Sequence, residues 1–252
     1  MEKKEMGLRG KVGLITGSTR GIGLAAAKVF IREGAEVIIH GTRLEVARKT
    51  ADSLGTPGQY LAVAGDVSRL EDVKAMFASI RSRHDRLDIL VNNAGIPGVP
   101  RPFLNIPSED WHRMISIHLH GTCYCCREAL EMMVPRKYGK IVNLSSRAGE
   151  TGTLLTGHCA DYSVAKAAVI TLTRSLAKEF IAHGININAV SPGPIATDMI
   201  PPEARAGLIP LVPAGRLAEP WEVAEAILYL VKDTSGFVVG EVLDINGGTR
   251  IL

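Results

Sequence analysis

The chain has 252 residues, of which 46% are hydrophobic and 22% are charged, a composition that suits one domain with a large apolar core. The formal net charge of +3 is too small to indicate a nucleic-acid-binding protein. No stretch approaches the roughly 18 uninterrupted apolar residues of a membrane span, and residues 1–10 lack the apolar segment of a signal peptide, so we expect a soluble, cytoplasmic protein.

Apolar runs alternate with helical periodicities along the whole chain. The runs predict strands at residues 12–16, 36–40, 59–64, 87–92, 140–145, 185–191 and 241–245. The periodicities predict helices at residues 22–32, 44–54, 70–83, 108–133, 161–183 and 219–231. This alternation indicates parallel strands with right-handed crossovers, and continuously apolar strands indicate helices on both faces of the sheet. We predict an α/β fold in which residues 1–252 form a single Rossmann-type domain, a doubly wound parallel sheet of about seven strands.

Two further features of the chain bear on its organisation. Residues 192–215 are rich in proline and glycine and too long for an ordinary connection, which predicts a substrate lid. The four cysteines do not have the spacing of a structural zinc site, so we expect reduced thiols that pack as small apolar side chains and no bound metal; they are Cys123, Cys125, Cys126 and Cys159.

A glycine-rich turn follows the first predicted strand and opens the first helix. Residues 16–23 read Thr-Gly-Ser-Thr-Arg-Gly-Ile-Gly. Glycine at 17, 21 and 23 allows a tight turn and a close approach of phosphate oxygens, and the helix N-terminus offers free amides with a partial positive charge. A glycine-rich turn alone is a weak signal, but its place between a strand and a helix predicts a dinucleotide site.

This turn is one of several ordered motifs. Asn-Asn-Ala-Gly stands at 92–95, Ser-Ser at 145–146, Tyr-x-x-x-Lys at 162–166, Ser-Pro-Gly at 191–193 and Asp-Ile-Asn-Gly-Gly at 244–248. Together they resemble the short-chain dehydrogenase/reductase family over nearly the whole chain, and within it the 3-oxoacyl-ACP-reductase-like subgroup. The resemblance implies an oxidoreductase that interconverts a carbonyl and a secondary alcohol with a nicotinamide cofactor.

The resemblance also implies where the cofactor would bind. Asp66 would accept a hydrogen bond from the adenine, with Val67 beside the ring, and Asn93 and Gly95 would lie against the ribose. Helix capping is an alternative role for Asp66, and both roles could hold together. Ile195 would give its amide to the nicotinamide carboxamide. The full set expected at the cofactor is Gly17, Ser18, Thr19, Arg20, Gly21, Ile22, Gly23, Arg43, Asp66, Val67, Asn93, Ala94, Gly95, Tyr162, Lys166, Pro192, Gly193, Ile195 and Thr197.

The end of the second strand bears on the choice of cofactor. An NAD enzyme carries an acidic residue there, whereas residues 41–43 of this chain read Gly-Thr-Arg. No carboxylate would repel a 2′-phosphate, and Arg20 and Arg43 could each bind that phosphate with a guanidinium fork. NADP(H) is therefore favoured over NAD(H). The alternative is that both arginines are ordinary solvated surface charges.

Tyr162, Lys166 and Ser146 are the candidate catalytic residues. A free phenol has a pKa near ~10, which an adjacent cation should lower. Lys166 lies four residues beyond Tyr162 on the same helix face, so we expect Tyr162 to donate the proton. Ser146 would hold the substrate oxygen, with Ser145 as the alternative.

Two departures from the family pattern concern the same site. The family has asparagine where this chain has His118, and that asparagine supports a water in a proton relay. His118 could serve the relay and, with an unperturbed pKa near ~6.5, add a pH dependence; packing without a relay role, or impaired chemistry, are the alternatives. Secondly, the 147–161 connection is longer than usual and borders either the substrate or solvent.

The substrate and the assembly follow only from the resemblance. The apolar residues of the lid suit an apolar or elongated substrate, and equally packing between subunits. An acyl-carrier-linked carbonyl is one candidate substrate, and a small ketone, a diketone, a sugar or a steroid is the alternative. A homotetramer is expected, and neither nucleic acid nor a membrane is an expected partner. A non-catalytic nucleotide-sensing protein, or a scaffold with vestigial binding, remains an alternative to the enzyme.

Overall fold

A computed structural model describes residues 7–56 and 58–251. Its seven-stranded sheet has the order β3-β2-β1-β4-β5-β8-β9, and every neighbouring pair is parallel. Strands β6 and β7 form a separate antiparallel hairpin. The strands are β1 Val12–Ile15, β2 Glu36–Gly41, β3 Ala62–Ala64, β4 Ile89–Asn92, β5 Gly139–Leu144, β6 Thr153–Leu154, β7 Gly157–His158, β8 Ile185–Pro192 and β9 Val242–Ile245.

Helices cover both faces of this sheet, so the predicted Rossmann-type single domain is confirmed. One apolar cluster lies between the sheet and helices α1, α2 and α9, and the other lies beneath α3, α5 and α7. The helices are α1 Gly21–Arg32, α2 Leu44–Leu54, α3 Leu70–Arg83, α4 Ser108–Ile115, α5 Gly121–Met133, α6 Arg147–Thr151, α7 Ala160–Phe180, α8 Pro202–Leu208 and α9 Pro220–Val231.

The central strands show why continuously apolar runs predicted this arrangement. All residues of β1, β4, β5 and β8 are buried, as expected for strands with helices on both faces. In the described part of the chain no helix is long and apolar enough to cross a bilayer. The four cysteines are free thiols, three of them buried.

Some predicted element bounds were wrong. The third strand begins at Ala62 because the residues before it form a turn, in which the Gln59 amide bonds to the Thr56 carbonyl at 2.9 Å. The helix expected over 108–133 is interrupted by a π-helical segment, Ser116–His120, between α4 and α5. The helix expected to end at residue 183 ends at Phe180, and a 3-10 turn follows it.

The long connection after β5 is ordered structure. Residues 147–151 form α6, and the β6–β7 hairpin follows, with Thr153 opposite His158. The Arg101 amide donates to the His158 carbonyl at 2.8 Å, which fixes this hairpin to the loop after β4. Because the hairpin and that loop both follow the carboxyl ends of neighbouring strands, they stand beside the predicted site.

Candidate active site

A cleft of about 120 Å³ lies at the carboxyl ends of the central strands. It gathers residues that follow β1, β4, β5 and β8, which are far apart in the sequence, and many of them are among those that the sequence predicted. The lining residues are Ile22, Asn93, Gly95, His118, Leu144, Ser145, Ser146, Tyr162, Lys166, Pro192, Gly193, Ile195, Thr197, Met199 and Ile200.

Tyr162 and Lys166 lie at the start of α7, on the wall of this cleft. The helix begins at Ala160, so both side chains belong to its first two turns. The Lys166 ammonium lies 5.8 Å from the centre of the Tyr162 ring and donates a hydrogen bond to the Leu144 carbonyl at 2.6 Å. That bond anchors the lysine to the end of β5, beside the two serines.

The two serines after β5 have different surroundings. The Ser145 hydroxyl donates to the Lys166 backbone carbonyl at 3.0 Å and so holds α7 against the strand. The Ser146 hydroxyl accepts a hydrogen bond from the Ala148 amide at 3.2 Å and caps the N-terminus of α6. Ser146 is also less buried than Ser145, which leaves its hydroxyl the more accessible to a ligand.

Burial dominates the electrostatics of Tyr162 and Lys166. It lowers the pKa of the Lys166 ammonium to about 7, because a low-dielectric environment disfavours the charged amine. Burial also raises the pKa of the Tyr162 phenol, although hydrogen bonding with Ser146 acts in the opposite direction. The sequence-based expectation of a lowered tyrosine pKa was therefore wrong for the protein without ligand.

His118 lies in the π-helical segment and packs against Tyr162. Its Nε2 lies 3.0 Å from the Ile96 carbonyl and 3.3 Å from the Ile96 amide. The shorter contact favours a proton on Nε2, which leaves Nδ1 as a buried acceptor without a partner among the described residues. Burial and the Lys166 charge hold the pKa of His118 well below its usual range, so the expected titration near neutral pH was wrong.

The glycine-rich turn has the shape that a phosphate requires. Gly17 and Gly21 have φ of +65° and +56°, which favour glycine. A Cβ on Gly23 would overlap the Gly17 carbonyl, so α1 packs directly on the turn. Within the described chain, the amides of Gly21, Ile22 and Gly23 form no backbone hydrogen bonds. These free amides at the N-terminus of α1 fit a pyrophosphate.

Asn93 supports this turn and also lines the cleft. Its amide nitrogen donates to the Thr16 and Gly17 carbonyls at 2.9 and 3.0 Å. The side chain therefore connects the end of β4 to the turn after β1. Ala94 lies against Gly17, where a Cβ would meet the Ala94 Cα at 3.0 Å, and Gly95 lies against the His118 ring.

Arg20, Arg43 and Asp66, which were also expected at the adenosine, are not among the residues that line the cleft. Arg20 and Arg43 are exposed and form no ion pair with a described residue. Asp66 accepts hydrogen bonds from the Ser68 amide and hydroxyl at 2.9 and 2.7 Å. The cap of α3 is Arg69, so the alternative role of Asp66 as a helix cap was wrong.

Three more side chains expected at the cofactor contact neighbouring parts of the protein. Val67 is buried against Gly121, where a Cβ would lie 2.9 Å from the Val67 Cγ2. Ser18 is fully buried, and its hydroxyl accepts a hydrogen bond from the His40 amide at 2.9 Å. The Thr19 methyl stands 2.9 Å from the position that a Cβ on Gly41 would take.

Comparisons with known proteins agree with this geometry. A family model described as enoyl-(acyl carrier protein) reductase matches residues 17–250. The chain is 38% identical over 249 residues to the 3-oxoacyl-[acyl-carrier-protein] reductase FabG of Aquifex aeolicus, covering 97% of this chain and 99% of that one. It is 37% identical over 245 residues to the FabG of Haemophilus influenzae, covering 96% and 98%.

Solved structures give the same result. A short-chain type dehydrogenase/reductase from Mycobacterium marinum superposes with a TM-score of 0.90 at 30% identity, covering 98% of both chains. A candidate gluconate dehydrogenase from Agrobacterium tumefaciens superposes with a TM-score of 0.90 at 35% identity, again over 98% of both. The chain belongs to the short-chain dehydrogenase/reductase family. It is therefore a nicotinamide-dependent oxidoreductase that acts on a carbonyl or alcohol group.

In this short-chain dehydrogenase/reductase, residues 192–215 cover part of the cleft. They contain α8 and a 3-10 turn, Ile209–Leu211, and Met199 and Ile200 face the cleft. The Thr197 methyl lies beside Gly21, where a Cβ would meet it at 3.4 Å. Pro192 ends β8, and the buried Ile195 forms a bridge with Ala218.

The two ends of this segment are fixed to the last residue of β9 and to the turn after β9. The Gly193 amide donates to the Ile245 carbonyl at 2.9 Å, and the Ala214 amide donates to the Gly247 carbonyl at 3.0 Å. A cavity of about 340 Å³ opens between this turn and residues 212–218. One wall of that cavity is Arg250, which pairs with Glu150 of α6 at 2.5 Å and with Asp244 at 2.7 Å.

Sequence reasoning missed two buried basic side chains near the site. His40 is 2% exposed, and its ring lies between the glycine-rich turn and the loop after β3. Arg147, next to Ser146, is buried and donates to the Thr153 carbonyl at 2.7 Å, which ties α6 to the β6–β7 hairpin. A histidine at the end of an otherwise apolar strand was the available signal for the first; nothing in the sequence marked the second.

The described residues contain no group of three or more histidine, cysteine, aspartate or glutamate side chains arranged to hold a metal ion.

Proposed function

We propose that this enzyme interconverts a carbonyl and a secondary alcohol with NADP(H), using Tyr162 as the general acid and base. The observation that carries the proposal is that Ser146, Tyr162 and Lys166 line one cleft beside the glycine-rich turn. The free first-turn amides of α1 and the close packing of Gly23 fit a dinucleotide pyrophosphate at that turn. The nicotinamide ring, when bound, supplies or accepts the hydride.

The catalytic side chains have separate roles. In reduction, the Tyr162 hydroxyl gives its proton to the carbonyl oxygen, and in oxidation the phenolate takes the proton from the alcohol. The Ser146 hydroxyl donates a hydrogen bond to the same substrate oxygen and so holds it beside the phenol. The raised pKa of Tyr162 keeps the phenol protonated at neutral pH, which is the form that donates the proton in reduction.

Lys166 and His118 complete the proton path in this proposal. With a pKa of about 7, the Lys166 amine can gain and lose a proton in the physiological range. The unpartnered Nδ1 of His118 is an acceptor within the field of Lys166, where a bridging water would link the two groups. We assign His118 the place of the family asparagine in that relay.

The preference for NADP(H) rests on charge at the adenosine end. Arg20 and Arg43 are exposed and have no carboxylate partner among residues 7–56 and 58–251, so their guanidinium groups are available to a 2′-phosphate. Gly41 stands where an NAD enzyme carries an acidic residue, and the adjacent Thr19 methyl leaves little room for one. In this assignment Asp66 accepts from the adenine, and the Ile195 amide and Thr197 contact the nicotinamide end.

A 3-oxoacyl thioester, carried on acyl carrier protein or CoA, is the proposed substrate. The FabG relatives are named for such a substrate, and the 192–215 segment, which we propose to be a lid, presents Met199 and Ile200 to the cleft. A sugar substrate is the second candidate, favoured by the similarity to a candidate gluconate dehydrogenase. A panel of both substrate classes, followed by the absorbance of the reduced nicotinamide, separates them.

We further propose a cytoplasmic homotetramer. Three aromatic side chains on and beyond α9 are exposed in the single chain, which fits a subunit interface; they are Trp221, Tyr229 and Phe237. Sedimentation of the purified protein would test the assembly.

Replacing one tyrosine tests the mechanism. Tyr162→Phe removes only the hydroxyl, so we expect turnover to be lost while NADP(H) still binds. Tyr60→Phe, whose hydroxyl accepts a hydrogen bond from the exposed Gln59 side chain before β3, is the matched control and should keep wild-type turnover. Undiminished turnover by Tyr162→Phe would refute the assignment. Binding of NADP(H) without turnover of any carbonyl by the wild type would favour a nucleotide sensor instead.

A further inference from the structure

We propose that His40 is a positioning residue of the cofactor site, which joins the glycine-rich turn to the loop after β3 and thereby sets the affinity for the adenosine half of the cofactor. The inference rests on the proposed function, because it takes the glycine-rich turn to be the dinucleotide site. It adds a residue that neither the motifs nor the cleft lining indicates.

Both ring nitrogens of His40 are bonded to backbone groups of different loops. The Gly17 amide donates to Nδ1 at 3.0 Å, and Nε2 donates to the Gly65 carbonyl at 3.1 Å. An amide can only donate and a carbonyl can only accept, so Nδ1 must be bare and Nε2 must carry the proton. The two loops therefore select one neutral tautomer of the imidazole.

The backbone of His40 is bonded to the same turn. The Ser18 amide donates to the His40 carbonyl at 3.0 Å, and the His40 amide donates to the Ser18 hydroxyl at 2.9 Å. Three segments thus meet at one residue: the turn after β1, the end of β2 and the loop after β3. Each carries a residue expected at the adenosine, namely Arg20, Arg43 and Asp66.

Burial keeps this imidazole neutral. It lowers the pKa of His40 to about 4, against the opposing effects of the Gly65 carbonyl and the nearby Asp66 charge. A proton on Nδ1 would also face the Gly17 amide, which is itself a donor. His40 is thus a fixed neutral connector and not a proton-transfer group.

The amide side chains of asparagine and glutamine can each replace only one of the two ring hydrogen bonds. Asparagine can place an acceptor near the Nδ1 position, glutamine can place a donor near the Nε2 position, and leucine can do neither. The Gly17 bond acts directly on the phosphate-binding turn, so losing it should weaken binding more than losing the Gly65 bond. Each lost bond should raise the dissociation constant by about 2- to 10-fold.

The test measures binding of adenosine 2′,5′-bisphosphate and of NADP(H) to the whole protein by calorimetry. The variants are His40→Asn, His40→Gln and His40→Leu. The control is His84→Leu, which removes another buried histidine beyond the end of α3, away from the glycine-rich turn. We expect affinity for both ligands to fall in the order wild type, Asn, Gln, Leu, while His84→Leu loses stability but keeps wild-type affinity.

Two results would overturn the proposal: wild-type affinity in a folded His40→Leu, or an equal loss of affinity in His84→Leu. If His40→Leu does not fold, His40→Asn and His40→Gln provide the test. Wild-type affinity in both of these variants would refute the proposal. Nitrogen NMR of the histidine rings must also show Nε2 protonated and Nδ1 bare at neutral pH. A wild type that binds no dinucleotide refutes the proposed function itself, which distinguishes the two failures.

Discussion

The imidazole of His118 meets the phenol of Tyr162 edge to face, with ring centres 5.4 Å apart and planes at 89°. This contact places a residue of the π-helical segment directly behind the proposed proton donor. The Lys166 ammonium lies 5.8 Å from the centre of the same ring, so both side chains restrict its rotation. The orientation of the phenol therefore depends on how the His118 ring is held.

The Ile96 backbone holds that ring, which predicts the behaviour of two variants. His118→Asn retains a side-chain amide that can bond to Ile96, so we expect most of the turnover to remain. His118→Leu leaves the Ile96 groups unpaired, which should cost about 1–3 kcal/mol of stability and reduce kcat. Because the pKa of His118 lies well below its usual range, the pH–rate profiles of wild type and His118→Asn should coincide between pH 6 and pH 8. A wild-type inflection that His118→Asn removes would contradict this.

The buried amine of Lys166 predicts how stability changes with pH. Its pKa is about 7 in the folded protein and 10.5 as the unperturbed value. Between these values the unfolded chain binds a proton that the folded chain has lost, so the free energy of unfolding rises with pH. Urea denaturation from pH 7 to pH 9.5 should show this rise in the wild type and a smaller one in Lys166→Met. Lys178→Met, an exposed lysine on the same helix, should follow the wild type.

The close packing around Gly149 predicts that a substitution there reduces kcat without weakening the binding of the cofactor. A Cβ there would lie 2.6 Å from the Lys166 carbonyl carbon and 2.7 Å from the Ala167 amide nitrogen. Gly149→Ala must therefore push α6 away from α7, and Ser146, the cap of α6, moves with it. We expect kcat to fall by about 10- to 100-fold with little change in the dissociation constant of NADP(H). Gly207→Ala, in a helix with open space at that position, should leave kcat unchanged; equal kcat values for the two variants would contradict the packing argument.

Arg43 predicts the discrimination between the two cofactors. If its guanidinium binds the 2′-phosphate, Arg43→Leu should raise KM for NADP(H) by about tenfold or more and leave KM for NAD(H) unchanged. Arg48→Leu, an exposed arginine on the same helix, is the control. Initial rates measured with both cofactors give the two KM values and the ratio between them. Equal changes with NADP(H) and NAD(H) would mean that Arg43 does not contact that phosphate.

The sequence predicted the sheet well because its strands are buried on both faces, which produces continuous apolar runs such as residues 12–15. It could not predict the π-helical segment, since residues 116–120 keep the side-chain periodicity of the helices around them. The third strand was predicted too long because Gln59 and Tyr60 continue a run that the backbone interrupts with a turn.

The sequence predicted many of the side chains that line the cleft, but it did not predict the direction in which the pKa of Tyr162 shifts. The spacing of Tyr162 and Lys166 correctly placed both side chains in one cleft. Spacing contains no information about burial, however, and burial decides the direction of both pKa shifts. His40 escaped notice for a related reason, because its partners are backbone groups 23 and 25 residues away, which no motif records.

Residues 192–215 are attached to the end of β9 and to the turn after it, and this attachment affects which sequence changes the segment can tolerate. Since Gly193 and Ala214 are both held by residues 245–247, the stretch between them is a loop whose ends are already closed. Lengthening such a loop costs little, about 0.6 kcal/mol for each doubling. Insertions and exchanges in this stretch can therefore reshape the cleft wall that Met199 and Ile200 form, while the strand register and the glycine-rich turn stay as they are.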